Sequence, residues 1–212
     1  MNQIKTYTLI TIKVFLVAAF FYLSWLMLKI TLEYVPFSRV VSFLMIKQTE
    51  VESRPEYIWI FYSHVYTSIF VLFTGFLAIT RLRFIGQNLH AIVGKTYIAL
   101  ILFIAAPSGF YMGLFANGNI FAKLSFTILA ILWGYSTYKA YNLARKKDFS
   151  QHKKWMWRSF ALTLSALTLR MWKVILVYLF HPHPLDVYQI IAWLGWVPNI
   201  LIIEYLIKTK HL

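Results

Sequence analysis

The sequence predicts an all-α protein, a polytopic membrane helix bundle of about six transmembrane helices with both termini on the cytoplasmic side. Of its 212 residues, 60% are hydrophobic and only 13% are charged, whereas about half apolar is typical of a soluble domain. The mean hydropathy of +0.64 points the same way. A lipid bilayer is therefore the solvent, and the main partner, that this composition requires.

A helix needs roughly 20 apolar residues to cross the hydrocarbon of a bilayer. Six stretches qualify and use nearly all of the chain, so we expect one integral membrane domain over residues 1–212. The first stretch lacks a small-residue cleavage site, which favours a retained helix over a signal peptide. The predicted spans are 9–30, 58–80, 91–115, 119–141, 157–180 and 188–207.

The formal net charge of +14 is distributed unevenly along the chain. The segment ARKKDFSQHKK (144–154) joins spans 4 and 5, and further basic residues assigned to the same side are Lys5, Arg81, Arg83, Lys208 and Lys210. The connection 31–57 instead carries glutamates among its basic residues. Since Lys and Arg mark the cytoplasmic side, this pattern predicts a plasma (inner) membrane protein with cytoplasmic termini. No nucleic-acid partner is expected, because topology and anionic headgroups account for the charge.

Three local features qualify this outline. The segment PFSRVVSFLMIKQ (36–48) is typical of a short amphipathic helix lying on the outer surface. Pro107 is expected to interrupt span 3, with Ser108 and Gly109 relieving the lost backbone bond. The segment HPHPLD (181–186) predicts an extended outer turn.

Motifs for acyl or phosphoryl transfer are not found in the sequence, and the lack of cysteine excludes disulfides and cysteine-ligated metals. The remaining candidates are ionisable residues inside the hydrocarbon, where they are costly. From a rise of 1.5 Å per residue, His64 lies about 10 Å below the outer surface. Arg170 lies about 20 Å up from the inner one. Both are thus in the outer half, near Ser108, and this polar site suits a quinone-like or anionic small ligand.

Span 5 carries small and polar residues at helical spacing, which indicates a face turned into the bundle. Arg170 on this face has a structural alternative, a hydrogen bond to backbone carbonyls freed at Pro107. Lys173 is expected to reach the outer boundary, and Glu204 to pair with a lysine on the inner side. The stripe consists of Ser159, Thr163, Ala166, Arg170 and Lys173.

His90 and His152 begin spans 3 and 5 on the same predicted side of the membrane. Two neutral imidazoles on opposite faces of an iron are a known way to bind haem b. The two histidines are therefore candidate haem-iron ligands, although solvated loop-end histidines remain the alternative. The cations that would serve the haem carboxylates are Lys95, Lys154 and Arg158.

Three segments resemble the DUF2306 family of predicted membrane proteins: SHVYTSIFVLFTG, LHAIVGKTYIALILFIAAPSG, and the stretch from WGYST through HKKWMWRS to TLR. The resemblance covers about residues 58–172. Ala91 and Lys95 depart from the family pattern, in which arginine is frequent at these two positions. The resemblance implies no particular reaction. Its pattern positions are His64, His90, Gly94, Pro107, Ser108, Gly109, His152, Trp155, Met156, Arg158 and Arg170.

Two classes of function remain open from the sequence. One is a haem-binding redox component with a separate site at His64 and Arg170. The other is a non-enzymatic transporter or an assembly or binding component, in which the buried polar residues fix helix packing. Against transport stands the lack of an inverted repeat, which many transporter folds show.

The predicted topology is tested by reporter fusions. A reporter fused after residue 148 should stay cytoplasmic, and one fused after residue 183 should be exported, since the basic excess sits on the first side. Alkaline phosphatase and fluorescent-protein activities in whole cells measure the two locations. An exported fusion at 148 would refute this orientation.

Overall fold

The computed structural model describes residues 2–80, 87–181 and 184–209. Within these ranges every regular element is a helix, which confirms the predicted all-α class. Arg81, Arg83, Lys210 and position 183, all used in the topology prediction, lie outside the described residues.

Eleven α-helices and one π-helix make up the regular structure of the described chain. The two shortest α-helices lie in the connection between the first two long ones. The α-helices are α1 (Asn2–Leu32), α2 (Ser42–Met45), α3 (Gln48–Ser53), α4 (Glu56–Thr80), α5 (Gln87–Leu100), α6 (Ala106–Leu114), α7 (Ile120–Arg145), α8 (Phe149–Thr163), α9 (Ser165–Phe180), α10 (Pro184–Leu194) and α11 (Val197–Lys208); the π-helix (Ile101–Ala105) joins α5 to α6.

Six helical stretches are long and apolar enough to cross a membrane, and each overlaps one predicted span. The fifth begins at Phe149 rather than at 157, because the Asp148 side chain caps the helix by accepting from the Gln151 backbone N–H at 3.1 Å. The six stretches are Ile10–Leu32, Glu56–Thr80, Asn88–Leu114, Ile120–Arg145, Phe149–Phe180 and Asp186–Lys208.

Three of these stretches are interrupted near their middles. The third passes through the π-helix before Pro107, as the proline predicted. The fifth breaks at Leu164, between α8 and α9, without a proline. The sixth breaks at Gly195, between α10 and α11, just ahead of Pro198. Each break frees backbone carbonyls, which need a partner inside hydrocarbon.

Side chains from the interrupted stretches satisfy these freed carbonyls. Asn199 Nδ2 donates to the carbonyl of Ala161 at 3.2 Å and to Thr168 Oγ1 at 3.0 Å. Thr168 Oγ1 donates in turn to the carbonyl of Gly195 at 2.5 Å. In the third stretch, Ser108 Oγ of α6 donates to the carbonyl of Ile104 in the π-helix at 2.5 Å. The fifth and sixth stretches are therefore tied together at their breaks.

A buried hydrogen-bond network joins α5, α7 and α8 at the centre of the bundle. The hydroxyl of Tyr97, which is 0% exposed, lies 2.8 Å from both Ser159 Oγ and Thr163 Oγ1. Trp133 Nε1 donates to Thr163 Oγ1 at 2.9 Å, and Thr137 Oγ1 lies 2.7 Å from Ser159 Oγ. Lipid is as apolar as the helix surface, so no hydrophobic effect drives helices together inside a membrane. Interhelical hydrogen bonds such as these are therefore a main source of stability there. The polar stripe predicted on span 5 thus begins in this network.

The connection between α1 and α4 differs from its prediction. In place of one amphipathic helix over 36–48 on the outer surface, the chain forms α2 and α3. Both helices pack against the bundle. Leu44 is fully buried, and Lys47 is only 2% exposed because its Nζ binds Glu50 Oε1 at 2.8 Å and the carbonyl of Phe115. Tyr62 of α4 also bonds to both backbone groups of Ser38. The connection therefore packs on the bundle as a cap, defined here as residues 33–55.

Gly75 allows α4 to approach the central network closely. A Cβ atom at this position would lie 2.6 Å from Tyr97 Cε2 and 2.9 Å from Phe160 Cδ2. We expect Gly75→Ala to destabilise the protein by about 1–3 kcal/mol through overpacking. Gly94→Ala is the matched control, because a Cβ there meets nothing within 4 Å. Thermal unfolding followed by tryptophan fluorescence in one detergent measures both, and equal melting temperatures for the two variants would contradict this packing.

Candidate functional site: an intramembrane cavity

A cavity of about 380 Å³ lies at one end of the bundle, where α4 begins and α9 ends. We call this the cavity end; the opposite end is where α5 and α8 begin. All six membrane-spanning stretches contribute to the cavity wall. The volume falls in the range of small-molecule sites. Most of the wall is apolar, with aliphatic and aromatic side chains that include Met27, Phe61, Val71, Phe126, Leu129 and Tyr188.

His64 and Arg170 both line this cavity, so the structure brings together the pair that their predicted depths placed in one half of the membrane. The third predicted member of the site, Ser108, is buried directly beside His64. Thr163 and Trp133 also line the cavity. Because both belong to the central network, that network forms the closed floor of the cavity.

The imidazole of His64 is fixed by its Nδ1 atom. This atom lies 3.1 Å from the carbonyl oxygen of Ala105 and 3.0 Å from Ser108 Oγ. The ring also packs against Gly109, where an added Cβ would approach Cε1 to 3.1 Å. The π-helix and the start of α6 therefore position His64. The π-helix presents the Ala105 carbonyl to the ring, and α6 presents the Ser108 hydroxyl and Gly109.

Arg170 does not bond to the carbonyls freed at Pro107, which was the structural alternative for this residue. Its Nη1 donates to the carbonyl of Ala166 on its own helix at 2.6 Å, whereas the carbonyl of Ala105 near Pro107 is contacted by His64 and Ser108. One of five guanidinium donors is thus occupied in this bond, and the side chain remains on the cavity wall.

The cavity is cationic. Lys173 joins Arg170 on its wall, and among the described residues that line the cavity none is Asp or Glu. A cation in a low-dielectric site is expensive unless an anion or several dipoles accompany it. The arrangement therefore favours a ligand that brings its own negative charge.

The cap covers the mouth of the cavity with aromatic residues. Tyr34 and Phe43 both line the cavity from this side, and Tyr66 of α4 donates to the Tyr34 carbonyl at 2.7 Å. Burial raises the pKa of the Tyr34 phenol, while the Phe43 backbone N–H and the positive charge of Arg170 act in the opposite direction. The phenol therefore stays protonated and neutral at physiological pH and lies within the field of Arg170.

Arg158 is occupied elsewhere in the bundle. Its Nε and Nη2 atoms donate to the two carboxylate oxygens of Glu204 at 2.5 and 2.9 Å, and its guanidinium lies 4.5 Å from the ring centre of Trp155. The prediction that Glu204 pairs with a lysine was wrong. Arginine forms the pair because its planar fork matches a carboxylate in two bonds.

His90 and His152 line a second, small pocket of about 60 Å³, together with Gly94, Lys153 and Trp157. His152 is oriented by α7, since its Nδ1 lies 2.7 Å from the Ala140 carbonyl. A volume of this size has room for a few water molecules, so a haem between the two rings requires α5 and α8 to separate.

The three cations predicted to serve the haem carboxylates do not line this pocket. Lys95 is exposed, Lys154 is half-buried, and Arg158 is bonded to Glu204. The structure thus brings the two histidines together but not the cations. The haem hypothesis stays a prediction.

Three residues that were not predicted as site residues shape the region around the cavity. Asn199 and Thr168 tie together the breaks in the fifth and sixth stretches, and Lys47 fixes the cap. The role of Asn199 was predictable from the sequence. An amide directly after Pro198, inside an apolar span, suggests a donor for a carbonyl that the proline frees.

The model of the family described as "Predicted membrane protein (DUF2306)" matches residues 61–207. This match covers more than half of the chain, so the chain belongs to the DUF2306 family. No curated protein matches it significantly, and no solved structure does.

The cap should loosen in acid through Glu50. Burial alone would raise the pKa of this carboxyl, but the hydrogen bond from Lys47, a backbone N–H and the charges of Lys47 and Lys123 together outweigh burial and lower it. A lowered folded-state pKa stabilises the protein above the ordinary glutamate range near 4, and this stabilisation is lost as the pH falls through the folded-state pKa. Glu50→Gln should lower the melting temperature at neutral pH by about 2 °C and flatten its decline in acid.

The matched control is Glu52→Gln, an exposed position on the same helix. Melting curves across the acid range measure both variants. An identical acid response in wild type and Glu50→Gln would contradict the contribution of this ion pair.

Proposed function

We propose that this DUF2306 protein binds a small amphipathic anion within the membrane, with the apolar body of the ligand in the 380 Å³ cavity and its anionic group at Arg170. The cationic wall of an otherwise apolar cavity is the observation that carries this proposal. We further propose that the protein resides in the plasma (inner) membrane, with its cavity end facing outward, in accord with the basic excess at the other end.

The apolar lining supports the hydrophobic part of the ligand. Side chains from α1, α4, α7 and α10 surround the space, and the central network closes it below. A ligand arriving from the lipid would keep its apolar surface out of water throughout. Affinity would therefore come mainly from the polar group, because lipid and cavity are similarly apolar.

The charge distribution supports the anionic part. Arg170 uses one donor within its own helix and has others left for a ligand. Arginine can bind a carboxylate or phosphate through two parallel bonds. Lys173 lies on the same face of α9, closer to the cavity end, and adds a second positive charge. Arg158, by contrast, already has a carboxylate partner in Glu204 and is not available to a ligand in this way.

Transport of the same anion is a second candidate function, favoured by the interrupted stretches. Discontinuous helices at the middle of the membrane commonly form the substrate sites of transporters. The breaks at Leu164 and Gly195 face each other in this protein and are joined through Thr168 and Asn199.

Binding is tested with radiolabelled decanoate as the probe. Wild-type protein in nanodiscs should bind it saturably, after subtraction of binding to empty nanodiscs. Arg170→Gln should weaken binding about tenfold or more, since a charge-assisted bond contributes roughly 1.5–3 kcal/mol. Glutamine retains a donor for the Ala166 carbonyl, which limits damage to the fold.

Lys29→Gln is the matched control, because Lys29 lies near the cavity end of α1 but outside the cavity wall, beside Trp25. This variant should bind decanoate as wild type does. Equal losses in both variants would indicate a general surface charge effect. No saturable binding by folded wild-type protein would refute the proposed function.

A further inference from the structure

The second nitrogen of the His64 ring carries information about the ligand. Its Nδ1 atom faces the carbonyl oxygen of Ala105 at 3.1 Å. A carbonyl can only accept, so Nδ1 must carry the hydrogen and donate it. In the neutral ring, Nε2 then has a lone pair and can only accept. The backbone beside Pro107 thereby selects the tautomer of His64.

This acceptor is reachable from the cavity. No hydrogen bond to Nε2 occurs among the described residues. If Nε2 were fully buried it would be a buried polar atom without a partner, and among the described residues only Ser24 Oγ is such an atom. Since Nε2 also lacks a partner, it is not fully buried, and His64 lines the cavity. The atom is therefore open to a ligand in the same space as the donors of Arg170.

The ring has little freedom to present its other nitrogen instead. Ser108 Oγ lies 3.0 Å from Nδ1 and itself donates to the carbonyl of Ile104. The added Cβ of a residue at Gly109 would come within 3.1 Å of Cε1, so that helix face contacts the ring edge. A flip of the imidazole would replace the bond between Nδ1 and the Ala105 carbonyl by a C–H contact. The local backbone thus holds the acceptor toward the cavity.

We infer that the ligand is a hydroxylated amphipathic anion, whose hydroxyl donates to His64 Nε2 while its anionic group binds Arg170. This inference rests on the proposed function and names the ligand class of that site. The two side chains offer opposite chemistry in one cavity, an acceptor on α4 and a set of cationic donors on α9. A ligand with acceptors alone would place a negatively charged oxygen or bare carbon against the lone pair of Nε2.

The hydroxyl should therefore determine specificity. A site built to hydrogen-bond a ligand hydroxyl rejects analogues that lack it, because its own polar group is then left unpaired. A single neutral hydrogen bond in a partly open cavity corresponds to about a tenfold preference. The methyl ether of the same ligand should lose this preference, since it keeps the oxygen but cannot donate.

Competition against radiolabelled decanoate in nanodiscs tests this inference with defined probes. The competitors are decanoate, its analogues with a hydroxyl on the second or third carbon, and the methyl ethers of those analogues. Wild-type protein should bind at least one hydroxylated acid about tenfold more tightly than both decanoate and the corresponding ether. This comparison needs no variant and so does not depend on the folding of one.

His64→Asn then assigns the preference to Nε2. The asparagine amide can still donate to the Ala105 carbonyl, in place of Nδ1, but it is too short to supply an acceptor at the position of Nε2. Whatever the affinity of this variant for decanoate itself, its preference for the hydroxylated acid over decanoate and over the ether should disappear. Ser63→Asn, on the exposed neighbouring position of α4, is the control and should keep the preference.

The outcomes separate the two proposals. Saturable decanoate binding with equal affinity for the hydroxylated acids and their ethers would overturn the hydroxyl inference and leave the anion site standing. Persistence of the preference in folded His64→Asn would also overturn it, because another group would then be the acceptor. Absence of saturable decanoate binding, without which no competition can be measured, would refute the proposed function itself.

Discussion

Inside hydrocarbon every backbone carbonyl needs a hydrogen-bond donor, and this requirement governs the middle of the bundle. Three of the six membrane-spanning stretches are interrupted there, so donors must come from side chains. Asn199 and Thr168 supply them between the fifth and sixth stretches, while Ser108 and His64 supply them beside Pro107. These four polar residues of the apolar sequence thus serve the broken backbone, and their positions follow from the breaks.

The cavity follows from the same constraint. Below it, the hydroxyl network around Tyr97 and Thr163 joins α5, α7 and α8 and closes the cavity on that side. At the cavity end, Tyr34 and Phe43 of the aromatic cap line the space between the helices. The central network thus closes the cavity on one side, and the cap closes it on the other. The internal site lies in a bundle whose two ends both contain packed hydrophobic clusters.

The two arginines of the fifth stretch show how surroundings divide structure from function. Arg158 has a carboxylate and a tryptophan as partners, and its charge is neutralised within the protein. Arg170, twelve residues further along and on the other side of the Leu164 break, bonds to one carbonyl and faces a cavity whose described wall contains no acid. The same residue type thus forms a structural tie in one place and a candidate ligand anchor in the other.

The sequence by itself determined the solvent, the helical class, the six stretches and the meeting of His64 and Arg170 in one half of the bundle, because length, apolarity and a rise of 1.5 Å per residue depend on neighbours along the chain alone. It also located the break at Pro107. It could not locate the break at Leu164, the partner of Glu204, or the burial of Lys47. Each of these depends on which side chain from a distant helix satisfies a carbonyl or a charge. Helical rotation and packing, which only the tertiary structure decides, select that partner.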